Sequence, residues 1–107
     1  MNAPDTIPVS EQWRLAAREY ARLDGKARTL ESLKDHLLAR KARALSKPED
    51  GKELSIAAAE REVKATQEWR DFLQEKDDAR TVANEARAEM ESLQMKHEEK
   101  HGVRRQW

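Results

Sequence analysis

The sequence predicts an all-α protein, a long antiparallel two-helix hairpin with coiled-coil-like packing that associates with itself into a helical bundle. Apolar residues recur every three or four positions along two long stretches, as they do on one face of a helix. Both stretches lack proline, and one segment holding Pro48 and Gly51 separates them. Charged residues make up 39% of the 107 residues and aromatic residues only 5%, which is typical of long helices rather than of a thick globular core.

The first predicted helix covers residues 10–46 and follows an irregular N-terminal arm over residues 1–9 that holds two prolines. Ser10 stands where a helix N-cap is expected. Gly25 costs this helix about 1 kcal/mol relative to alanine. It marks either a weak point or a close packing contact. The larger apolar residues of one face are Trp13, Tyr20, Leu23, Leu30 and Leu37.

The second predicted helix covers residues 55–101, after a loop over residues 47–54 and before a C-terminal tail over residues 102–107. Ser55 is its predicted N-cap. The phase of the apolar stripe slips between Val63 and Trp69, as a stutter in a coiled coil produces. The stripe continues through Phe72, Ala79, Ala83, Ala86, Met90 and Leu93.

A loop of about eight residues favours an antiparallel pair of helices, so we predict a single domain over residues 10–101. Folding about this loop sets Leu37 near Val63 and Tyr20 near Thr81–Ala83. The aromatic side chains are large for so thin a seam, which favours a dimer that forms a four-helix bundle. The alternative is a monomer with its aromatic rings lying over alanines. The predicted self-association seam is Trp13, Tyr20, Leu23, Leu30, Leu37, Trp69, Phe72 and Met90.

Nothing in the sequence predicts an enzyme, a catalytic residue, a cofactor or a metal centre. The chain has no cysteine and only three glycines, so thiolate chemistry and a glycine-rich phosphate loop are both unsupported. His97 and His101 match the H-E-x-x-H string of zinc proteases, but no third ligand follows and the intervening residues are charged. They are expected to form at most a weak, adventitious metal-binding pair. A metal-dependent hydrolase at these histidines is the alternative.

The charges of the chain cancel, with 21 basic and 21 acidic residues, so the total gives no general attraction to nucleic acid. Two basic clusters still offer possible nucleic-acid contacts. A helix C-terminus and a solvated tail explain the same clusters without a ligand. We expect a cytoplasmic location and no membrane partner, because neither a signal peptide nor a run of about 20 apolar residues occurs. The possible contacts are Arg40, Lys41, Arg43, Lys96, Lys100, Arg104 and Arg105.

The order of several short motifs resembles a group of proteins of about 100 residues from tailed bacteriophages and prophages. The motifs are a leucine helix that begins at Tyr20, a Gly51–Lys52 turn, the stretch from Ser55 to Glu62, Trp69, and the run from Ala86 to Lys96 that ends near Arg104–Arg105. His97 departs from the pattern, because an aromatic residue is common there in the group. The genes of these proteins often lie beside recombination genes, and the group has no established activity.

The resemblance implies a phage origin, a location in the bacterial host cytoplasm and a role in phage DNA metabolism. The leading hypothesis is a non-catalytic helical interaction protein, an accessory to phage DNA recombination or replication that binds protein, DNA or both. The alternative hypothesis is a phage counter-defence protein that binds a host immune complex or sequesters a signal molecule. A protein partner is expected in either case.

Overall fold

The described part of the chain is helical throughout its regular structure. The computed structural model describes residues 7–46 and 54–100, and no strand occurs in these ranges, which confirms the all-α prediction. No helix within them is long and apolar enough to span a membrane. The three helices are α1 (Val9–Leu45), α2 (Ile56–Lys64) and α3 (Gln67–Lys100).

Three of the predicted segments lie mainly outside the residues that the structure describes. The N-terminal arm up to residue 6, the loop at residues 47–53 and the tail from residue 101 lie outside the described residues. His101, Arg104 and Arg105 belong to the last of these segments.

Helix α1 begins one residue earlier than predicted, so the assignment of Ser10 as its N-cap was wrong. The carbonyl oxygen of Pro8 accepts hydrogen bonds from the backbone N–H groups of Glu11 and Gln12, each at 3.0 Å. The side-chain amide of Gln12 also donates to the carbonyl oxygen of Ile7 at 2.7 Å. Proline suits the start of a helix because its ring restricts φ and because it has no backbone N–H that would need a hydrogen-bond partner.

Helix α2 begins as the sequence predicts, with Ser55 as its N-cap. The Ser55 backbone is extended (φ −64°, ψ 157°), and its hydroxyl oxygen accepts a hydrogen bond from the Ala58 N–H at 3.1 Å. This bond satisfies one of the N–H groups that the first helical turn leaves without a partner.

The prediction of one continuous helix over residues 55–101 was wrong, because the chain breaks between α2 and α3. Thr66 stabilises the break from both sides. Its hydroxyl donates to the carbonyl oxygen of Val63 at 2.7 Å and accepts from the N–H of Trp69 at 3.1 Å, which makes it the cap of α3. The break coincides with the phase slip between Val63 and Trp69, and it allows both of these side chains to be buried.

The residues group into two compact units. The first unit consists of residues 1–26 and 79–107, and the second consists of residues 27–78. Each unit therefore contains part of α1 and part of α3. The single domain over residues 10–101 stays a prediction.

The second unit has a core around Trp69, which is 3% exposed. Leu37 packs against the cluster that contains Val63, as the sequence predicts. The Trp69 and Phe72 rings lie 5.4 Å apart between centroids. Alanines supply half of the buried cluster, so α1 and α2 can approach closely there. The cluster is Ala42, Ala59, Val63 and Trp69, with Leu37, Leu38, Leu54, Phe72 and Leu73 packed against it.

In the first unit Tyr20 shares a groove with Arg87 and Met90. Asp24 and Arg80 of the same unit join α1 to α3 through an ion pair of 2.9 Å. The expected position of Tyr20 near Thr81–Ala83 stays a prediction.

A side chain added at Gly25 would enter open space. A Cβ built on Gly25 meets no heavy atom within 4 Å outside its own helix backbone, and the residue is exposed. We expect Gly25→Ala to raise the free energy of unfolding by about 0.5–1 kcal/mol, because alanine has the higher helix propensity and restricts the unfolded chain. Urea denaturation followed by circular dichroism measures this change. A loss of stability would show that the glycine is required by the fold.

Candidate interaction surface

The predicted seam residues are divided between the two units and differ in burial. Trp13, Tyr20, Leu23 and Met90 belong to the first unit, and all four are half-buried. In the second unit Trp69 is buried, and its partners are half-buried: Leu30, Leu37 and Phe72. The seam of the first unit is thus open to solvent in part, whereas that of the second unit closes around a tryptophan.

Small residues occupy part of the interior of the first unit, although Leu93 is buried there as well. Ala83 is fully buried in α3, and Ala79 is 9% exposed. Interiors are close-packed, so positions filled by alanine hold neighbouring backbones too close for an aromatic ring. Trp13 and Tyr20 therefore lie where solvent still reaches them.

Two helix faces form a surface that we call the aromatic face, consisting of Trp13, Ala17 and Tyr20 of α1 with Met90 and Gln94 of α3. The three α1 residues follow each other at spacings of four and three, and the two α3 residues are four apart, so each set lies on one side of its helix. All five residues are half-buried. The aromatic face is mostly apolar, with one amide.

Two grooves flank the shared wall formed by Met90 and Gln94. One groove has a volume of about 550 Å³ and includes Trp13, Ala17 and Arg14. The other has a volume of about 530 Å³ and includes Tyr20, Arg87, Glu91 and Met95. Both are open and shallow in comparison with a ligand cavity that encloses a small molecule. Their shape suits the side chains of another helix.

An ion pair borders the second groove. Arg87 donates a hydrogen bond from Nε to the Glu91 carboxylate at 2.7 Å, one helical turn away. This bond raises the pKa of Arg87 above its ordinary value, and the charge of Glu91 acts in the same direction. Both side chains are more than half exposed, so the pair adds little stability and leaves a charged rim for a partner.

His97 lies beside Trp13 at the end of the aromatic face. The two ring centroids are 5.2 Å apart and the rings are tilted by 36°. His97 is half-buried by this contact, and its proposed metal-binding partner His101 lies outside the described residues. Within residues 7–46 and 54–100, no three histidine or acidic side chains group as metal ligands would. In the structure, the His97 ring therefore packs against the Trp13 ring.

A partly buried ion pair joins α1 to α3 in the first unit. Arg80 Nη1 donates to the Asp24 carboxylate at 2.9 Å, and their side chains are 31% and 16% exposed. A shift of register between α1 and α3 would leave a half-buried charge without this partner.

A groove of about 220 Å³ lies in the second unit, and Lys41, one of the predicted nucleic-acid contacts, lines it. Lys41 Nζ lies 3.2 Å from the Glu68 carboxylate, and both residues line this groove with Leu45. Arg40 and Arg43 are exposed. Lys41 therefore differs from Arg40 and Arg43, because its ammonium group pairs with a carboxylate of α3.

The α3 residues predicted as possible nucleic-acid contacts are exposed. Lys96 and Lys100 lie in the last turns of the helix. Arg104 and Arg105, the other members of that cluster, lie outside the described residues.

A regular row of cations on α1 was not predicted. It consists of Arg18, Arg22 and Lys26, and we call it the basic row. All three are exposed. Their spacing of four residues is a visible signal, but the balanced charge of the whole chain hides it. Counted by helix, α1 has nine basic and five acidic residues, whereas α3 has six basic and ten acidic residues.

Comparison with known proteins adds no family to this description. No protein-family model matches the chain, and neither the curated proteins nor the solved structures contain a significant match.

Proposed function

We propose that this protein is a non-catalytic helical interaction protein that folds as an antiparallel hairpin of α1 and α3 and dimerises through its aromatic face. The observation that carries the proposal is the half-burial of Trp13, Tyr20 and Met90 around two open grooves. Aromatic residues and methionine are enriched at protein interfaces, and contiguous apolar patches on a surface mark interaction sites.

The charges around the two grooves favour a second copy of the chain as the occupant. Arg14 borders the first groove and Glu91 borders the second. A two-fold axis through the shared wall would set the first groove of one copy against the second groove of the other, so that Arg14 faces Glu91 twice. Arg14 is available for this contact, because its pair with Glu11 is long (3.6 Å) and its side chain is 69% exposed.

The biological setting follows from the resemblance to small phage proteins. We propose that the dimer is an accessory to phage DNA recombination or replication, in the host cytoplasm, and that it binds protein, DNA or both. A pair of hairpins needs no catalytic group for this task, because it would act by holding its partners in place.

The mass in solution tests the dimer. Light scattering should give twice the chain mass of 12.4 kDa at micromolar concentration. Ala17→Arg should raise the dimer dissociation constant about thirtyfold or more, which corresponds to about 2 kcal/mol, because a long charged side chain would occupy the first groove.

Ala21→Arg is the matched control, since Ala21 is exposed on the same helix and lies outside both grooves. It should leave the dimer intact. A wild-type mass of one chain at all concentrations, or equal effects of the two substitutions, would remove the proposed interface. Circular dichroism of each variant verifies that the helices are retained.

A further inference from the structure

We propose that Met95 is a site of reversible oxidation, at which hydrogen peroxide converts the thioether to a sulfoxide and thereby opens the dimer. This inference rests on the proposed dimer and names a regulation of the same surface. Met95 is 59% exposed, the highest value among the exposed large apolar residues of the described chain. It lines the groove of about 530 Å³ together with Met90, which is half-buried.

The position of Met95 on α3 brings it to the proposed interface. Met95 follows Glu91 by four residues, so both lie on one side of the helix and line the second groove. The two-fold arrangement that sets Glu91 against the partner subunit's Arg14 therefore also brings Met95 to the partner's first groove. That groove contains Trp13 and Ala17. A ring beside a small residue suits a flexible thioether, because sulfur makes favourable contacts with aromatic rings at about 5 Å.

The proposed step transfers one oxygen atom from hydrogen peroxide to sulfur. A lone pair of the Met95 sulfur attacks one peroxide oxygen, and the S–O bond forms as the O–O bond breaks. The leaving hydroxide takes the proton from the oxygen now bound to sulfur, which gives water. Sulfur is oxidised by two electrons and the peroxide is reduced by two. The product is a polar, chiral sulfoxide in place of an apolar side chain.

A sulfoxide at Met95 weakens the dimer because its oxygen loses water at the interface. The proposed contact with Ala17 and the ring of Trp13 removes that water, and burial of a polar group without a replacement partner is unfavourable. Arg14 borders the same groove but faces Glu91 in the proposed dimer, so it is already engaged there. The oxidised side chain is therefore more stable in the single chain than in the dimer.

The two methionines of the groove differ in how readily peroxide reaches them. The proposed dimer covers Met95, so the oxidant reaches it in the dissociated chain, and the rate of oxidation falls as protein concentration rises. Met90 is half-buried in the single chain already, which makes it the slower site. A methionine sulfoxide reductase, with a dithiol as the reductant, restores the thioether and with it the dimer.

The experiment treats the full chain with a limited amount of hydrogen peroxide and measures the dimer dissociation constant by light scattering before and after. The constant should rise about tenfold or more once Met95 carries the oxygen atom. Tandem mass spectrometry of the tryptic peptide 88–96 assigns the sulfoxide to Met90 or Met95. Treatment with the reductase should return the constant to its starting value.

Met95→Leu and Met90→Leu form the matched pair of variants. Each is compared with its own sample before peroxide, so that any effect of leucine on the dimer itself cancels. Peroxide should leave the dissociation constant of Met95→Leu nearly unchanged, because leucine has no sulfur to oxidise. The constant of Met90→Leu should rise about as much as that of the wild type.

A dimer that persists with Met95 fully oxidised, or equal losses in the two leucine variants, would overturn this inference. A loss of helical signal by circular dichroism on oxidation would also overturn it, because the chain would then unfold rather than dissociate. The untreated sample keeps the two proposals distinct. A wild-type monomer before peroxide contradicts the dimer and this inference together, whereas an oxidised dimer contradicts this inference alone.

Discussion

Trp69→Ala is expected to lower the free energy of unfolding by about 3–5 kcal/mol, the largest effect of any single truncation in the described chain. The Trp69 side chain is 3% exposed, packs with Ala42, Ala59 and Val63, and lies over the Phe72 ring. Truncation removes this burial and leaves a cavity that the surrounding alanines are too small to fill. Urea denaturation at fixed protein concentration measures the loss.

Ile56→Ala provides the control for Trp69→Ala, because Ile56 lies in the same unit but is 58% exposed. Its truncation should change the free energy of unfolding by less than about 0.5 kcal/mol. If the two substitutions had similar effects, Trp69 would not be the anchor of the core. The second unit would then owe its stability to other contacts.

Ala83→Leu is expected to destabilise the protein by about 1–3 kcal/mol, although leucine is a good helix former. Ala83 is fully buried, so three additional carbon atoms have no space unless the packing of the first unit shifts. Such a shift would also disturb the aromatic face, which belongs to the same unit. Thermal unfolding and the dimer mass should therefore change together.

Val82→Leu is the adjacent control for Ala83→Leu. Val82 is 44% exposed, so its replacement should leave both stability and mass nearly unchanged. If Ala83→Leu were as harmless as Val82→Leu, the alanines of α3 would not limit how closely the helices pack. The edge position of Trp13 and Tyr20 would then need another explanation.

The break between α2 and α3 could not be predicted from the apolar pattern alone. The sequence reveals the slip of phase between Val63 and Trp69, but a stutter within one helix and a break between two helices produce the same slip. Thr66 followed by Glu68 in the first turn of α3 was a usable signal of a new helix start. Whether this segment forms one helix or two depends on which arrangement buries the Val63 and Trp69 side chains better. That choice is made by packing against the rest of the unit.

The candidate site was predictable in its residues but not in its arrangement. The periodic stripe identifies Trp13, Tyr20 and Met90 as interfacial. It does not show that Tyr20 shares a groove with Met90, because this depends on how α1 and α3 pack against each other.

The sequence by itself determined the helical class, the cap at Ser55 and the apolar stripes, because helix propensity, capping and periodicity act over a few neighbouring residues. Only the tertiary structure decided the break at Ala65–Thr66, the register of α1 with α3, and which large side chains stay half-exposed. These depend on contacts between residues far apart in the chain, where the fit of alanines against aromatic rings sets how closely helices approach.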